Sequence, residues 1–219
     1  MISSSLLHKW LSCNFQEILE ISLIGLSALA HFLDARQNIW ARILTFPILL
    51  LNIYVYSIKR LSGKVIHSLI SIFINGYAYI NWKGSNYRTP IKVTITPPKL
   101  LWYMILLAII ATAICSFIRC IDSQMSLLSI YFDTLYCILG LLEKWMMSHK
   151  KLERWTLAFF RYIGFSIACY YAGSKLLSLF QLSLASIAIY GQIKWLKAYR
   201  KQAAFDNAST LSTFSQLKS

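Results

Sequence analysis

The stretch that decides the fold is Asp133–Trp155, DTLYCILGLLEKWMMSHKKLERW. It sets a carboxylate inside an otherwise apolar run, then passes through Glu143 and Lys144 into the basic segment His149-Lys150-Lys151-Leu152-Glu153-Arg154-Trp155. Asp133, Cys137, Gly140 and Lys144 are spaced i, i+4, i+7, i+11, which puts them in one stripe of a 3.6-residue helix. The run is long enough to cross a bilayer. An ionisable side chain at that depth costs about 2.5–3.5 kcal/mol and marks a functional site unless a partner explains it.

Working outward, the 219-residue chain is 57% hydrophobic and 14% charged, with mean hydropathy +0.54. A soluble domain carries about 25% charged residues, so lipid is the main solvent here. The net charge of +14 sits in short clusters between apolar runs. That is the positive-inside pattern of a membrane protein, not the basic face of a nucleic-acid binder, and no nucleic-acid partner is expected. Cys13, Cys115, Cys120, Cys137 and Cys169 form no C-x-x-C and no metal-like pairing with the histidines, and they read as small hydrophobes. No metal or cofactor is expected. H-E-x-x-H, G-x-S-x-G and paired-aspartate motifs are absent, which excludes the common intramembrane enzymes.

Seven runs are long enough to span: 17–33, 39–58, 64–82, 99–119, 124–146, 155–173 and 176–196. Residues 1–14 read as an amphipathic surface helix with Leu6, Leu7, Trp10 and Leu11 on one face. Ala28-Leu29-Ala30 resembles a signal-cleavage site, but Glu17 and Glu20 spoil the regions before it. Residues 83–98 hold three of the four prolines and read as a polar linker, and 203–219 as a disordered polar tail. Of the 22 Lys and Arg, one side of this topology holds 15, the other 6, and Arg161 lies within a span. The richer side is expected to be cytoplasmic, with the N-terminus outside and the C-terminus inside.

The chain also repeats. At an offset of 115, Gly25-Leu26 maps to Gly140-Leu141, Trp40 to Trp155 and Tyr56 to Tyr171. At an offset of 113, Tyr77-Ala78-Tyr79-Ile80-Asn81-Trp82 meets Tyr190-Gly191-Gln192-Ile193-Lys194-Trp195. Spans 1–3 (residues 15–82) therefore recur as spans 5–7 (124–197), with span 4 (99–119) as connector. An even step gives both halves the same orientation. The expected fold is an all-α membrane protein, two parallel three-helix bundles joined by a linker helix, with a site between the halves.

The ending x-W-[LM]-M-x-x-K-K-[IL]-E-x-W (Lys144 to Trp155) and the helix-3 ending Tyr77–Trp82 resemble the PnuC family of vitamin transporters over residues 15–197. The resemblance implies a 3+1+3 fold similar to SWEET sugar transporters. It also implies facilitated diffusion of a vitamin nucleoside, above all nicotinamide riboside, across the inner membrane. This chain has Cys137 and Gly140 where the family has Thr and Ser. It has Lys144 for Gln, Tyr79 for Trp, Arg154 for Asn and Ala158 for Trp. Thiamine or riboflavin transport by the same fold, and a non-transporting membrane assembly subunit, are the alternatives. Homo-oligomerisation stays open.

The substrate-binding candidates are Asn75, Tyr79, Trp82, Asp133, Cys137, Gly140, Lys144, Trp155, Tyr190 and Gln192. Asp133 either accepts ribose hydroxyls or counters a cationic pyridinium, or forms a structural pair with Arg161 that could also serve as a gate. Asn75, Tyr79 and Trp82 share one face of a helix and could read an amide and stack on a flat ring; interhelical packing is the equal alternative. Tyr190 and Gln192 are repeat mates of Tyr77 and Tyr79. Trp40, Trp82, Trp155 and Trp195 fall at the expected cytoplasmic ends and suit either an aromatic belt or an inner gate. Pro47 frees a backbone carbonyl in mid-helix and is a hinge candidate.

Overall fold

Each apolar run becomes a helix, and local chemistry sets where each one ends. The computed structural model describes residues 4–58, 62–85, 92–122, 127–171 and 175–216. Its elements are α1 (Ser4–Ala35), α2 (Trp40–Ile58), α3 (Ser62–Ser85), α4 (Pro98–Asp122), α5 (Leu127–Ser148), α6 (Arg154–Tyr171) and α7 (Lys175–Gln216). Among the described residues there is no strand, only an isolated bridge between Thr94 and Lys151. Asn38 caps α2: its side-chain oxygen accepts the Trp40 N–H at 3.0 Å, satisfying a donor the helix leaves orphaned. Gln37 (φ 57°) and Lys150 (φ 50°) adopt left-handed backbone just past the ends of α1 and α5 and turn the chain into α2 and α6. Pro98 opens α4, where a missing N–H breaks no helical bond.

Three sequence expectations change. The surface helix expected over 1–14 and the first span are one continuous helix from Ser4. No Gly or Pro occurs before Gly25, so nothing interrupts the backbone ladder. Residues 1–3 and the side chains of Leu6, Leu7, Trp10 and Leu11 lie outside the described residues. The tail expected to be disordered instead extends α7 as far as Gln216, again with no Gly or Pro after Gly191; residues 217–219 lie outside the described set. In the 83–98 linker, residues up to 85 belong to α3, 86–91 lie outside the described residues, and 92–97 form an extended strap. The strap is tied to the α5–α6 loop by Thr94 N–H to the Lys150 carbonyl (3.2 Å) and Leu152 N–H to the Thr94 carbonyl (3.0 Å). The Glu153 carboxylate accepts both the Thr96 N–H (2.7 Å) and its hydroxyl (3.1 Å).

Helix neighbours run α1–α2–α3–α5–α6–α7 and back to α1, so six helices close into a ring. Helix α4 packs on α5 outside it and, among the described residues, meets no other helix. It is the most apolar, with mean hydropathy 2.4 over Pro98–Ile118 against 1.6 for α2. Trp102, Leu107 and Phe117 on α4, and Phe73, Ile80 and Phe160 on the ring, are outward and exposed, as a lipid-facing surface requires. The ring helices are less apolar because their inner faces carry the polar groups described next.

The tightest packing lies where α1, α3 and α5 finish and α2 and α6 begin, here termed the Trp end. Trp155 and Trp195 are 0% exposed and Trp82 3%. Trp195 packs on Trp82 (ring centroids 6.4 Å apart) and on Trp155 (5.6 Å). Ala78, Ala158, Ala185 and Ala188 make room for the indoles. Gly191 lies under the face of Trp155: a Cβ there would stand 2.6 Å from its ring atoms.

Candidate functional site

Above the indoles the ring encloses a cavity of about 360 Å³, lined from all six of its helices. The α1 wall is Leu23, Ser27, His31 and Asp34, near-regular steps of one helical face. The α5 wall runs Tyr136, Cys137, Glu143, Lys144 and Met147, and of these Cys137 and Lys144 belong to the sequence stripe below Asp133. Apolar and aromatic side chains form most of the wall, with a few polar groups converging, as in small-molecule sites.

At the Trp end the cavity meets a layer of buried ions. Arg42 on α2 donates from Nη2 to Asp34 Oδ1 on α1. Its Nη1 donates to Asn75 Oδ1 (3.0 Å), and Asn75 Nδ2 donates back to the Arg42 carbonyl (2.9 Å). Arg154 at the start of α6 reaches Asp34 Oδ2 (3.6 Å) and Glu143 Oε1 (3.5 Å). Arg161 donates from Nε (3.0 Å) and Nη2 (2.6 Å) to Glu143 Oε2. Trp195 Nε1 on α7 donates to the Asp34 carbonyl (3.3 Å). The layer thus touches every helix of the ring. His31 and Tyr162 bond across α1 and α6 just above it. Removing one partner of a buried pair costs about 3–5 kcal/mol because the other charge is stranded. Separating α1 from α2, or α5 from α6, therefore strands charges of the layer.

Below the layer, Lys150 places its ammonium 4.8 Å from the Trp82 ring and 3.5 Å from Gln37 Oε1. Burial in this loop holds its pKa below the ordinary lysine range. Arg154 stacks on Trp155 at 3.9 Å.

The structure sorts the sequence candidates. Asn75, Cys137, Lys144 and Arg161 line the cavity. Asn75 has both ends of its amide committed to Arg42, so it fixes that side chain within the ion layer. Gly140 is a spacer: a Cβ there would stand 3.0 Å from His67 Nε2 and 3.4 Å from Arg161 Nη1. Trp82, Trp155 and Trp195 form the indole layer, outside the cavity wall. Trp40 departs from them, since it is 63% exposed and belongs to the rim. Tyr79 carries Lys83 over its ring, while Tyr190 stacks on Phe32; neither lines the cavity, nor does Gln192. Pro47 is exposed on the outer face of α2. The expected Asp133–Arg161 pair gives way to Glu143–Arg161. Asp133 lies ten residues, about 15 Å, along α5 from Glu143, beyond the reach of a guanidinium held there, and it lies outside the cavity wall.

Sequence reasoning missed Asp34, Arg42, His31, Lys64, His67 and Tyr162, gave Glu143 no role, and noted Arg154 only as a departure from the family pattern. One signal was available. Only 8 acidic residues oppose 22 Lys and Arg, so any carboxylate next to an apolar run is a prime partner for a buried cation.

The family model described as nicotinamide mononucleotide transporter matches residues 17–197. No curated protein sequence matches the chain. A crystal structure of the vitamin B3 transporter PnuC is similar in fold, with TM-score 0.62 and 13% identity, covering 86% of this chain and 90% of that one. With helices exposing apolar faces all round and a transporter-family match over most of its length, this is a multi-pass membrane protein and not an enzyme; the chain belongs to the nicotinamide mononucleotide transporter family.

Proposed function

We propose that the chain carries a vitamin B3 nucleoside, a nicotinamide ring on a ribose, across the inner membrane by facilitated diffusion with alternating access. The observation that carries this reading is the cavity itself: a pocket with converging polar groups inside a lipid-exposed ring, bounded at one end by an ion layer that reaches all six helices. Its contents suit such a ligand. Tyr136, Tyr162 and Phe165 offer ring faces, and Ser27, Thr45 and Asn52 offer hydrogen bonds. Gln181 Oε1 is buried in this wall with no hydrogen-bond partner, an acceptor suited to a ribose hydroxyl or a carboxamide N–H.

The ring order supports two like-oriented halves, residues 15–82 and 124–197, with α4 as connector. Replacing α1, α2, α3 by α5, α6, α7 maps the ring onto itself, and the repeat mates Trp82 and Trp195 face one another. Orientation follows as before. Lys64, Arg42, Lys144 and Arg154, counted at first as loop charges, line the cavity. Without them 12 cations lie on the Trp-end side and 5 on the other, so the Trp end and the C-terminus are cytoplasmic.

The test is uptake of labelled nicotinamide riboside and nicotinamide mononucleotide into proteoliposomes, with thiamine and riboflavin as competitors. Saturable uptake of either B3 compound is expected. Uptake no faster than in protein-free liposomes sinks the reading, and preferential inhibition by thiamine or riboflavin transfers the fold to another vitamin.

A further inference from the structure

Residues 92–97 lie on the far side of the indoles from the cavity. Along α7 the cavity wall holds Leu177, Phe180, Gln181 and Leu184. Trp195 follows eleven residues after Leu184. Gln202 stands seven residues, about 10 Å, beyond Trp195, and its Oε1 accepts the Val93 N–H at 3.0 Å. The strap leaves α3, which among the described residues is not a neighbour of α7 in the ring. Val93 and Thr96 are each 2% exposed. Val93 joins the buried cluster of Trp82, Met147, Leu152, Trp155 and Trp195. An extended segment is thus packed beneath the indoles, where a way out of the cavity at the Trp end would have to pass.

Its attachments are one-sided. Among the described residues, every hydrogen bond of Val93, Thr94 and Thr96 goes to α7 or to the α5–α6 loop, through Gln202, Lys150, Leu152 and the Glu153 carboxylate. All four belong to the second half or its continuation. A carboxylate holding two donors makes the stronger class of hydrogen bond. At the offset of 115 Glu153 is the repeat mate of Asn38. Asn38 caps its own helix at Trp40, whereas Glu153 is given to the strap. Below the ion layer the two halves meet through lighter contacts. Asn81 Nδ2 donates to the Ser148 carbonyl (2.9 Å), the Tyr77 hydroxyl lies 3.3 Å from His149 Nε2, and Lys150 Nζ lies 3.5 Å from Gln37 Oε1. Apolar packing such as that of Val93 is non-directional and does not fix a segment as hydrogen bonds do.

We propose that residues 92–97 form a lid carried by the second half, and that the cavity opens at the Trp end when the first half withdraws from the lid while the lid's own bonds stay made. The proposal rests on the transport reading, because only a carrier needs that end to open.

The test locks each side of the lid in turn. Thr94→Cys with Lys151→Cys sets a disulfide across the bridge between those residues. Tyr77→Cys with His149→Cys, joined by a bifunctional thiol reagent, ties the halves together where those side chains meet. Uptake of labelled nicotinamide riboside and nicotinamide mononucleotide into proteoliposomes is compared with each link open and closed. Closing the first link should leave uptake within about twofold, and closing the second should lower it at least about tenfold. Loss of uptake with the first link closed, or full uptake with the second closed, overturns the lid. If the first pair does not oxidise, Thr96→Cys with Glu153→Cys takes its place. Hydrogen exchange of the parent chain in detergent reads the clasp without any ligand. The amides of Val93, Thr94 and Thr96 should be protected at least about a hundredfold, and free exchange there strikes the lid while leaving transport standing. A parent chain that moves neither compound overturns the transport reading and the lid's role with it.

Discussion

Glu143 and Lys144 are consecutive on α5 and both line the same cavity, yet they occupy opposite electrostatic situations. Glu143 takes two N–H groups from Arg161 and lies 3.5 Å from Arg154. Lys144, among the described residues, meets no carboxylate. In one region of the wall every charged side chain has an opposite charge within 3.6 Å, and the layer touches six helices; in the next, charge is left over. The difference lies in partners and not in position, since both side chains line the same wall. A set of ion pairs stabilises one arrangement of the helices, whereas a lysine without a carboxylate adds only the cost of burying its charge.

Glu143→Gln should break the closed region most severely. It strands Arg161 and Arg154 without their anion, and the expected loss is about 3–5 kcal/mol of stability, read as a large fall in the thermal unfolding midpoint in detergent. A midpoint within a degree or two of the parent would show that the layer is not what joins the helices.

Gly191→Ala tests the indoles beneath. A methyl group 2.6 Å from the Trp155 ring has nowhere to go in a site where that ring is 0% exposed. Overpacking of this kind costs about 1–3 kcal/mol, again read from thermal unfolding.

Lys144→Gln sharpens the comparison because its expected sign is opposite to that of its neighbour. Removing an unpaired buried charge should leave stability within about 1 kcal/mol of the parent or raise it, read from the same unfolding midpoint. A destabilisation matching that of Glu143→Gln would place Lys144 in the structural set after all.

Local pattern made most of the fold legible. Helix number and the place of Cys137 and Lys144 on one face of α5 rest on apolar runs and a 3.6-residue period, which a linear sequence displays directly. The site was only half legible. Asp133 drew attention because it interrupts an apolar run in full view, whereas Asp34 and Glu143 sit near helix ends and look like solvated charges. Trp40 and Trp155 are indistinguishable as repeat mates, yet one is 63% exposed and the other 0%, because only the second faces the ring interior where Gly191 leaves it space.

By itself the sequence determined that this chain dissolves in lipid as seven helices, since hydrophobicity and helical period act between near neighbours. Which cation met which carboxylate was decided by tertiary structure alone. Asp34 and Arg42 come from different helices, as do Glu143 and Arg161, and a salt bridge forms only when packing brings two side chains within a few ångströms. The same packing decided which lysines were left over.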